Sequence, residues 1–133
     1  MQQKLIESFQ FVTKHSEYKP GMPAMVECFA TWCPPCRAAI PHLAEMTAHY
    51  PKVYIVSTSN EDAPTVEKLK SKMPKMSEYN LAVDAGGLLG QYQQEQGVNG
   101  IPHAFIFDGA GTLVWQGHPM DGECKQTLEK LNK

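Results

Sequence analysis

Two cysteines separated by two prolines form the stretch of this sequence whose residue types point most directly to chemistry. Cys33 and Cys36 enclose Pro34 and Pro35, and Trp32 precedes them. A Cys-x-x-Cys pair between a strand-like segment and a helix-like segment is typical of thiol–disulfide chemistry. We therefore predict that Cys33 and Cys36 form a redox-active dithiol.

The two sulfurs are expected to have different roles because they differ in their position on the predicted helix. A thiol attacks a disulfide as its thiolate, and free N–H groups at a helix N-terminus stabilise that anion. Cys33 stands where the helix should begin, so we expect it to be the nucleophile, with a lowered pKa. Cys36 is expected to be less exposed and to resolve a mixed disulfide on Cys33. The intervening prolines lack N–H groups, which leaves the Cys36 amide as the nearest donor to the Cys33 sulfur, and Arg37 adds positive charge.

Glu27 is the next candidate for a part in this chemistry. It interrupts the apolar segment 24–30, which has the composition of a buried strand. A buried carboxyl group is costly when charged, so its pKa should rise. Glu27 could lie beneath the dithiol and accept the proton of Cys36. The alternatives are that it reaches solvent at a strand end or pairs with a lysine.

Structural zinc is the alternative use of a Cys-x-x-Cys pair. Such a site usually needs two further Cys or His ligands. Cys28, Cys124 and the five histidines form no second pair at a suitable spacing, so we predict no metal site and interpret both cysteines as small buried residues. No nucleotide or flavin motif is present, and no cofactor is expected.

The remaining sequence predicts an α/β scaffold of one domain, residues 1–133. Leu5, Phe9 and Val12 have the spacing of a first amphipathic helix. Strand-like segments alternate with helix-like ones and end in a hairpin and a closing helix; the strands are predicted at 24–30, 53–57, 81–84, 103–107 and 112–115. The order α-β-α-β-α-β-α-β-β-α predicts a largely parallel sheet with helices on both faces.

Composition excludes some partners. The net charge of −2 leaves no basic footprint for nucleic acid or an anionic membrane, so we expect neither as a partner. The only local cluster of lysines, at positions 68, 70, 72 and 75, is interpreted as a solvated helix face. The N-terminus lacks a signal-peptide core and no segment is long enough to span a membrane, which predicts a cytoplasmic protein. That setting favours reduction over oxidation.

Several landmarks in their order along the chain resemble the thioredoxin superfamily. Trp32-Cys33-Pro34-Pro35-Cys36 matches its W-C-x-x-C active site, and Pro41 matches the proline inside its active-site helix. Ile101-Pro102 matches the cis-proline loop, Gly117 matches a glycine beside the same groove, and Glu27 stands where thioredoxins have a buried aspartate. The lysine partner of that acid is not evident between residues 53 and 59.

Within the superfamily the chain is similar to the TlpA-like and redoxin branch, and its Cys-Pro-Pro-Cys-Arg stretch is also similar to tryparedoxins and nucleoredoxins. The segment 64–84 and Gly117-His118-Pro119 carry the likeness to that branch. The resemblance implies a thioredoxin fold with a central mixed sheet, helices on both faces and a C-terminal hairpin plus helix. It also implies a cis peptide before Pro102 and a substrate groove lined by Trp32, Ile101, Pro102, Gly117 and His118. His103 is unusual after that proline, and is expected either to tune the sulfur or only to cap its strand.

The predicted function is therefore protein-disulfide oxidoreductase activity. Its partners would be disulfide-containing proteins and an upstream thiol reductase. A thioredoxin-fold peroxidase is an alternative, but it would need a threonine three residues before the reactive cysteine, where this chain has Ala30. A non-enzymatic binding module is the other alternative, and it leaves Trp32 and Pro102 unexplained.

Overall fold

The computed structural model describes residues 1–133, and its centre is a six-stranded mixed sheet. The strands in chain order are β1 (Gln10–Thr13), β2 (Ala24–Phe29), β3 (Tyr54–Ser59), β4 (Asn80–Val83), β5 (His103–Phe107) and β6 (Leu113–Gly117). Their spatial order is β1-β4-β3-β2-β5-β6. β2, β3 and β4 run parallel, whereas β1 is antiparallel to β4 and β5 is antiparallel to both β2 and β6.

Five α-helices cover the two faces of the sheet. They are α1 (Gln2–Ser8), α2 (Pro34–His49), α3 (Ala63–Lys72), α4 (Leu88–Glu95) and α5 (Gly122–Leu131), with a 3₁₀ helix at Pro74–Ser77. Apolar residues of α2, α3 and α5 form the core on one face, and those of α1 and α4 form the core on the other. The predicted architecture, including the C-terminal hairpin and helix, is confirmed. No helix has the length and apolar character needed to cross a bilayer.

The sheet places its most apolar strands at the centre. All residues of β2, β3 and β4 are buried, because each strand is covered by helices on both faces. β2 leads directly into the loop that carries the two candidate cysteines, so the most deeply buried part of the sheet supports them.

The N-terminal segment differs from its prediction. Helical spacing of Leu5, Phe9 and Val12 predicted a single helix, but α1 ends at Ser8 and residues 10–13 form the edge strand β1. Leu5 and Phe9 pack in the core under α1 and α4, whereas Val12 packs against the core on the opposite face. Aromatic and β-branched residues favour a strand here, where β4 supplies backbone partners. The other predicted elements are present, with ends that differ by a few residues.

Candidate active site

The start of α2 holds the sulfur of Cys33. Cys33 is the residue before the helix, in an extended conformation, and Pro34 and Pro35 occupy the first two helical positions. Because proline has no N–H group, the first free amide of the helix is that of Cys36. This amide donates a hydrogen bond to Cys33 Sγ at 3.2 Å, as the sequence predicted. A donor fixed at a helix N-terminus favours the thiolate form of the sulfur that accepts its hydrogen bond.

Cys33 and Cys36 are joined by a disulfide bond. The expected difference in exposure between them is not found, since the exposed fractions are 3% for Cys33 and 2% for Cys36. What distinguishes them is access, because Cys33 lines the adjoining cleft and Cys36 does not. Cys33 is therefore the one of the two cysteines that borders the cleft.

An open cleft of about 530 Å³ adjoins the dithiol. Trp32, Pro34 and Pro35 form one wall with Cys33, and Trp32 is 69% exposed. The opposite wall comes from α4 and the loop that follows it, and consists of Gln93, Val98, Asn99, Gly100 and Ile101. The Ile101 carbonyl oxygen lies 3.9 Å from Cys33 Sγ. The expected cis peptide between Ile101 and Pro102 is present.

Gly117 and His118 lie at the end of β6 and outside the walls of this cleft. Gly117 pairs with Ala104, and a Cβ atom on it would come within 2.9 Å of the Trp115 ring. His118 is exposed, and its Nδ1 accepts a hydrogen bond from the N–H of Met120 at 3.1 Å. The Trp115 ring thus explains why residue 117 has no side chain, and the predicted part of both residues in substrate binding stays a prediction.

Two groups of site residues were not predicted from the sequence. The first is the far wall of the cleft apart from Ile101, namely Gln93, Val98, Asn99 and Gly100. The second is Glu61, whose carboxylate accepts hydrogen bonds from the N–H and hydroxyl of Thr31 at 2.8 and 2.7 Å. Ser59 Oγ also donates to Glu61, at 2.7 Å. These bonds fix the loop before Cys33 to the end of β3.

Glu27 is fully buried at the centre of the sheet. It is opposite Ser57 on β3 and Ala104 on β5, and Ser57 Oγ donates to its Oε1 at 2.5 Å. The other oxygen, Oε2, has no hydrogen-bond partner. Burial raises the pKa of Glu27 from its ordinary value of 4.5 to about 8, against the smaller opposing effect of the Ser57 hydrogen bond. The carboxyl group is therefore mostly protonated at neutral pH.

The side chain of Glu27 faces the α2 side of the sheet. Side chains alternate along a strand, and the neighbours two positions away, Met25 and Phe29, both pack in the core that contains Cys36. The two alternatives considered for Glu27, solvent exposure at a strand end and an ion pair with a lysine, are both excluded, because Glu27 is fully buried and forms no ion pair.

Cys28 and Cys124 are free thiols and both are buried. Burial raises the pKa of Cys28 well above its ordinary value, with smaller contributions from the charges of Glu27 and Asp84. Burial also raises the pKa of Cys124 to about 12. Both sulfurs are thus held as unreactive thiols, in agreement with their interpretation as small buried residues.

His103 lies on the face of the sheet away from α2. It is opposite Cys28 in the pairing of β2 with β5. Its ring is hydrogen-bonded through Nε2 to Gln116 Oε1 at 2.9 Å and contacts Phe105 edge-on, with ring centroids 4.9 Å apart. These contacts give His103 a place in the packing of β5 against β6.

Comparison with known proteins places this geometry in a family. The profile of the AhpC/TSA family matches residues 7–116, which include both cysteines, Glu27 and the cis-proline loop. The chain belongs to the AhpC/TSA family. Within the thioredoxin superfamily this is the TlpA-like redoxin branch that the sequence motifs indicated.

Several of the similar proteins are thiol:disulfide interchange proteins. The thiol:disulfide interchange protein DsbE of Escherichia coli is 31% identical over 121 residues, covering 85% of this AhpC/TSA chain and 62% of DsbE. A DsbE homolog of Paracoccus denitrificans is 33% identical over 96 residues, covering 72% of this chain and 50% of the homolog. This chain therefore spans about half to two-thirds of the length of these relatives.

A solved structure confirms the thioredoxin fold. A thioredoxin-family thiol:disulfide interchange protein of Chlorobium tepidum aligns with a TM-score of 0.69 at 23% identity. The alignment covers 86% of this AhpC/TSA chain and 82% of that protein. The central mixed sheet and the helices on both faces are therefore those of a thioredoxin fold.

The environments of the four cysteines predict selective alkylation. In the reduced native protein, iodoacetamide at neutral pH should modify Cys33 first and leave Cys28 and Cys124 unmodified, because burial keeps those two sulfurs protonated and out of solvent. Unfolding in guanidinium chloride should expose all four. Peptide mass spectrometry after timed quenching measures each site, and native labelling of Cys28 as fast as Cys33 would contradict the assignment.

The buried carboxyl group predicts a pH-dependent stability. Between about pH 5 and 8 Glu27 stays protonated in the folded protein but is ionised in the unfolded chain, so the folded state binds more protons and the free energy of unfolding falls as pH rises. The total fall attributable to Glu27 is several kcal/mol, at about 1.4 kcal/mol per unit of pKa difference. Urea unfolding of the oxidised protein across this range measures it.

Two variants give this measurement its controls. Glu27→Gln cannot titrate, so its stability relative to the wild type should increase steadily with pH. Ser57→Ala removes the hydrogen bond that opposes the pKa shift, so it should keep or steepen the fall. Parallel pH profiles for the wild type and Glu27→Gln would show that Glu27 does not titrate as described.

Proposed function

We propose that this chain is a thiol–disulfide oxidoreductase that acts on disulfide-containing proteins. The observation that carries the proposal is the hydrogen bond from the Cys36 amide to Cys33 Sγ at the start of α2, beside an open cleft. The similarity to thiol:disulfide interchange proteins of Escherichia coli and Paracoccus denitrificans supports the same class of reaction.

The reaction exchanges two electrons without a cofactor. The Cys33 thiolate attacks one sulfur of the partner's disulfide, which forms a Cys33–partner disulfide and releases the other partner sulfur as a thiolate. Cys36 then attacks Cys33 Sγ, forming the Cys33–Cys36 bond and releasing the second partner sulfur. The partner gains two electrons and the dithiol is oxidised. An upstream thiol reductase returns two electrons through the same exchange in the opposite direction.

Glu27 is proposed as the acceptor of the Cys36 proton. Its carboxyl group faces the core that contains Cys36, and Oε2 is free of other hydrogen bonds. With a pKa of about 8, part of the Glu27 population is ionised near neutral pH and can take a proton. After it has accepted the proton, Glu27 is neutral, so no isolated charge remains in the core once the disulfide has formed.

The cleft is proposed to receive the partner's backbone and side chains around its disulfide. Trp32 offers a large exposed apolar surface on one wall, and the Ile101 carbonyl oxygen faces the reacting sulfur on the other. The predicted cytoplasmic setting, which would favour reduction of the partner, belongs to this proposal and is tested by cell fractionation.

A peroxidase on the same fold has weaker support. The position three residues before Cys33 is Ala30, which is buried and has no hydroxyl group. The hydroxyl of the next residue, Thr31, donates to Glu61 instead. The loop therefore offers no hydroxyl group to a peroxide at Cys33, and a direct peroxide-consumption assay should give a negative result.

Reduction of insulin disulfides tests the oxidoreductase directly. With dithiothreitol as the electron source, the wild type should accelerate reduction, Cys33→Ser should abolish the acceleration, and Cys36→Ser should accumulate a mixed disulfide on Cys33 that mass spectrometry detects. Cys124→Ser, a buried cysteine outside the cleft, serves as the matched control and should retain the activity. Equal activity in the wild type and Cys33→Ser would exclude the mechanism.

The pH dependence of mixed-disulfide release tests Glu27. In a pre-formed complex with an exposed peptide disulfide, the rate of release by Cys36 should rise with pH and level off near 8 in the wild type. In Glu27→Gln the rate near pH 8 should fall about 100-fold or more, as expected for the loss of a general base. Coincident profiles would mean that the carboxyl group does not accept the proton, and unchanged circular dichroism shows that the variant is folded.

A further inference from the structure

A basic depression lies beside the dithiol, on the other side of the active-site loop from the cleft. It has a volume of about 210 Å³ and its walls are Thr31, Arg37, Thr65, Lys68, Leu69 and Lys72. Thr31 and Trp32 are consecutive, and the first lines the depression while the second lines the cleft. A partner whose disulfide reaches Cys33 therefore passes next to both surfaces.

The cations of this depression have no counter-ion within the protein. The only two ion pairs are Lys14–Glu17 and Lys75–Glu78, so Arg37, Lys68 and Lys72 are all unpaired. Glu67, next to Lys68 in the sequence, forms no ion pair. Glu61 and Asp62 accept hydrogen bonds from Thr31 and Thr65, and none of these three carboxylates is part of the walls. Three positive charges thus meet in a protein whose net charge is −2.

Stability does not explain this arrangement. Lys68 and Lys72 are four residues apart on α3, a spacing at which like charges repel. Arg37 lies near the N-terminus of α2, where the helix dipole disfavours a cation, and the first turn of that helix has no acidic residue. A favourable position at the C-terminal end of α3 accounts for Lys72 alone. A bound anion would offset both the repulsion between Lys68 and Lys72 and the unfavourable interaction of Arg37 with the dipole of α2.

We propose that this basic depression docks a carboxylate-rich segment of the partner protein whose disulfide reacts with Cys33. The proposal rests on the oxidoreductase function, and it adds a preference for cysteines flanked by Asp and Glu. A flexible acidic segment fits the shallow shape, and its carboxylates can pair with the three cations Arg37, Lys68 and Lys72. Such a contact both orients the partner and speeds its encounter with the dithiol.

Two disulfide-containing peptides of the same length test the preference. One carries four Glu residues beside its disulfide and the other carries Gln at the same positions. At low salt, kcat/KM for the Glu peptide should exceed that for the Gln peptide about three- to tenfold, as expected for a few exposed charge contacts. The ratio should approach one as salt rises from about 0.02 to 0.2 M. Equal values for the two peptides in the wild type would overturn the proposal.

A pair of double variants separates the depression from overall charge. Lys68→Gln with Lys72→Gln should remove the preference for the Glu peptide and leave reduction of the Gln peptide unchanged. Lys70→Gln with Lys75→Gln makes the same change in net charge on neighbouring positions outside the walls, and should retain the preference. Equal losses in the two double variants would mean that net charge acts, and not this site.

Binding without redox chemistry separates this proposal from the oxidoreductase function. In a chain with Cys33→Ser and Cys36→Ser, fluorescence anisotropy of a labelled Glu peptide should show salt-sensitive binding that Lys68→Gln with Lys72→Gln weakens. No binding, or tighter binding of a single-stranded oligonucleotide of equal charge, would overturn the docking site. Binding of the Glu peptide without its reduction by the wild type would instead reject the oxidoreductase function while the docking site stands.

Discussion

One hydrogen bond, from the amide of Cys36 to the sulfur of Cys33, determines how the rest of the site is built. It requires a helix that begins at residue 34, and the two prolines make Cys36 the first residue of that helix able to donate. The disulfide and the cleft are both arranged around this point. β2 supports it, because this fully buried central strand leads directly into the loop that carries the sulfurs.

The buried carboxyl group of Glu27 is the feature of this site that most destabilises the folded protein. A site made only of a helix end and two sulfurs could sit on an apolar strand, and replacement of Glu27 by an apolar residue would remove an unsatisfied oxygen from the core. The structure instead keeps a carboxyl group facing the α2 side of the sheet, with a single hydrogen bond from Ser57. Its raised pKa is the direct result of that burial, and it makes the group able to exchange a proton in the pH range where thiols react.

The sequence allowed prediction of whatever depends on local pattern. The Cys-Pro-Pro-Cys stretch and the apolar strands led to the dithiol and the α/β architecture, whereas the cis peptide before Pro102 was implied by the resemblance to the thioredoxin superfamily. The spacing of Leu5, Phe9 and Val12 misled because tertiary pairing with β4 overrides a weak helical period in a short segment. Glu61 was missed because its role depends on Thr31, thirty residues earlier, which only the folded chain brings within hydrogen-bond distance.

Which charged side chains lie close together also depends on the fold and not on local sequence. Along the sequence the lysines of α3 and of the following 3₁₀ helix form one cluster, and the sequence does not show that Lys68 and Lys72, unlike Lys70 and Lys75, lie near Arg37. The fold separates them, because only the first two meet Arg37 of α2 at the edge of the active-site loop. The loop thus divides two surfaces of different character, an apolar cleft beside Trp32 and a basic depression beside Thr31. A small disulfide would contact only the cleft. If the basic depression also contributes to the reaction rate, the site recognises the protein around the disulfide as well as its sulfurs.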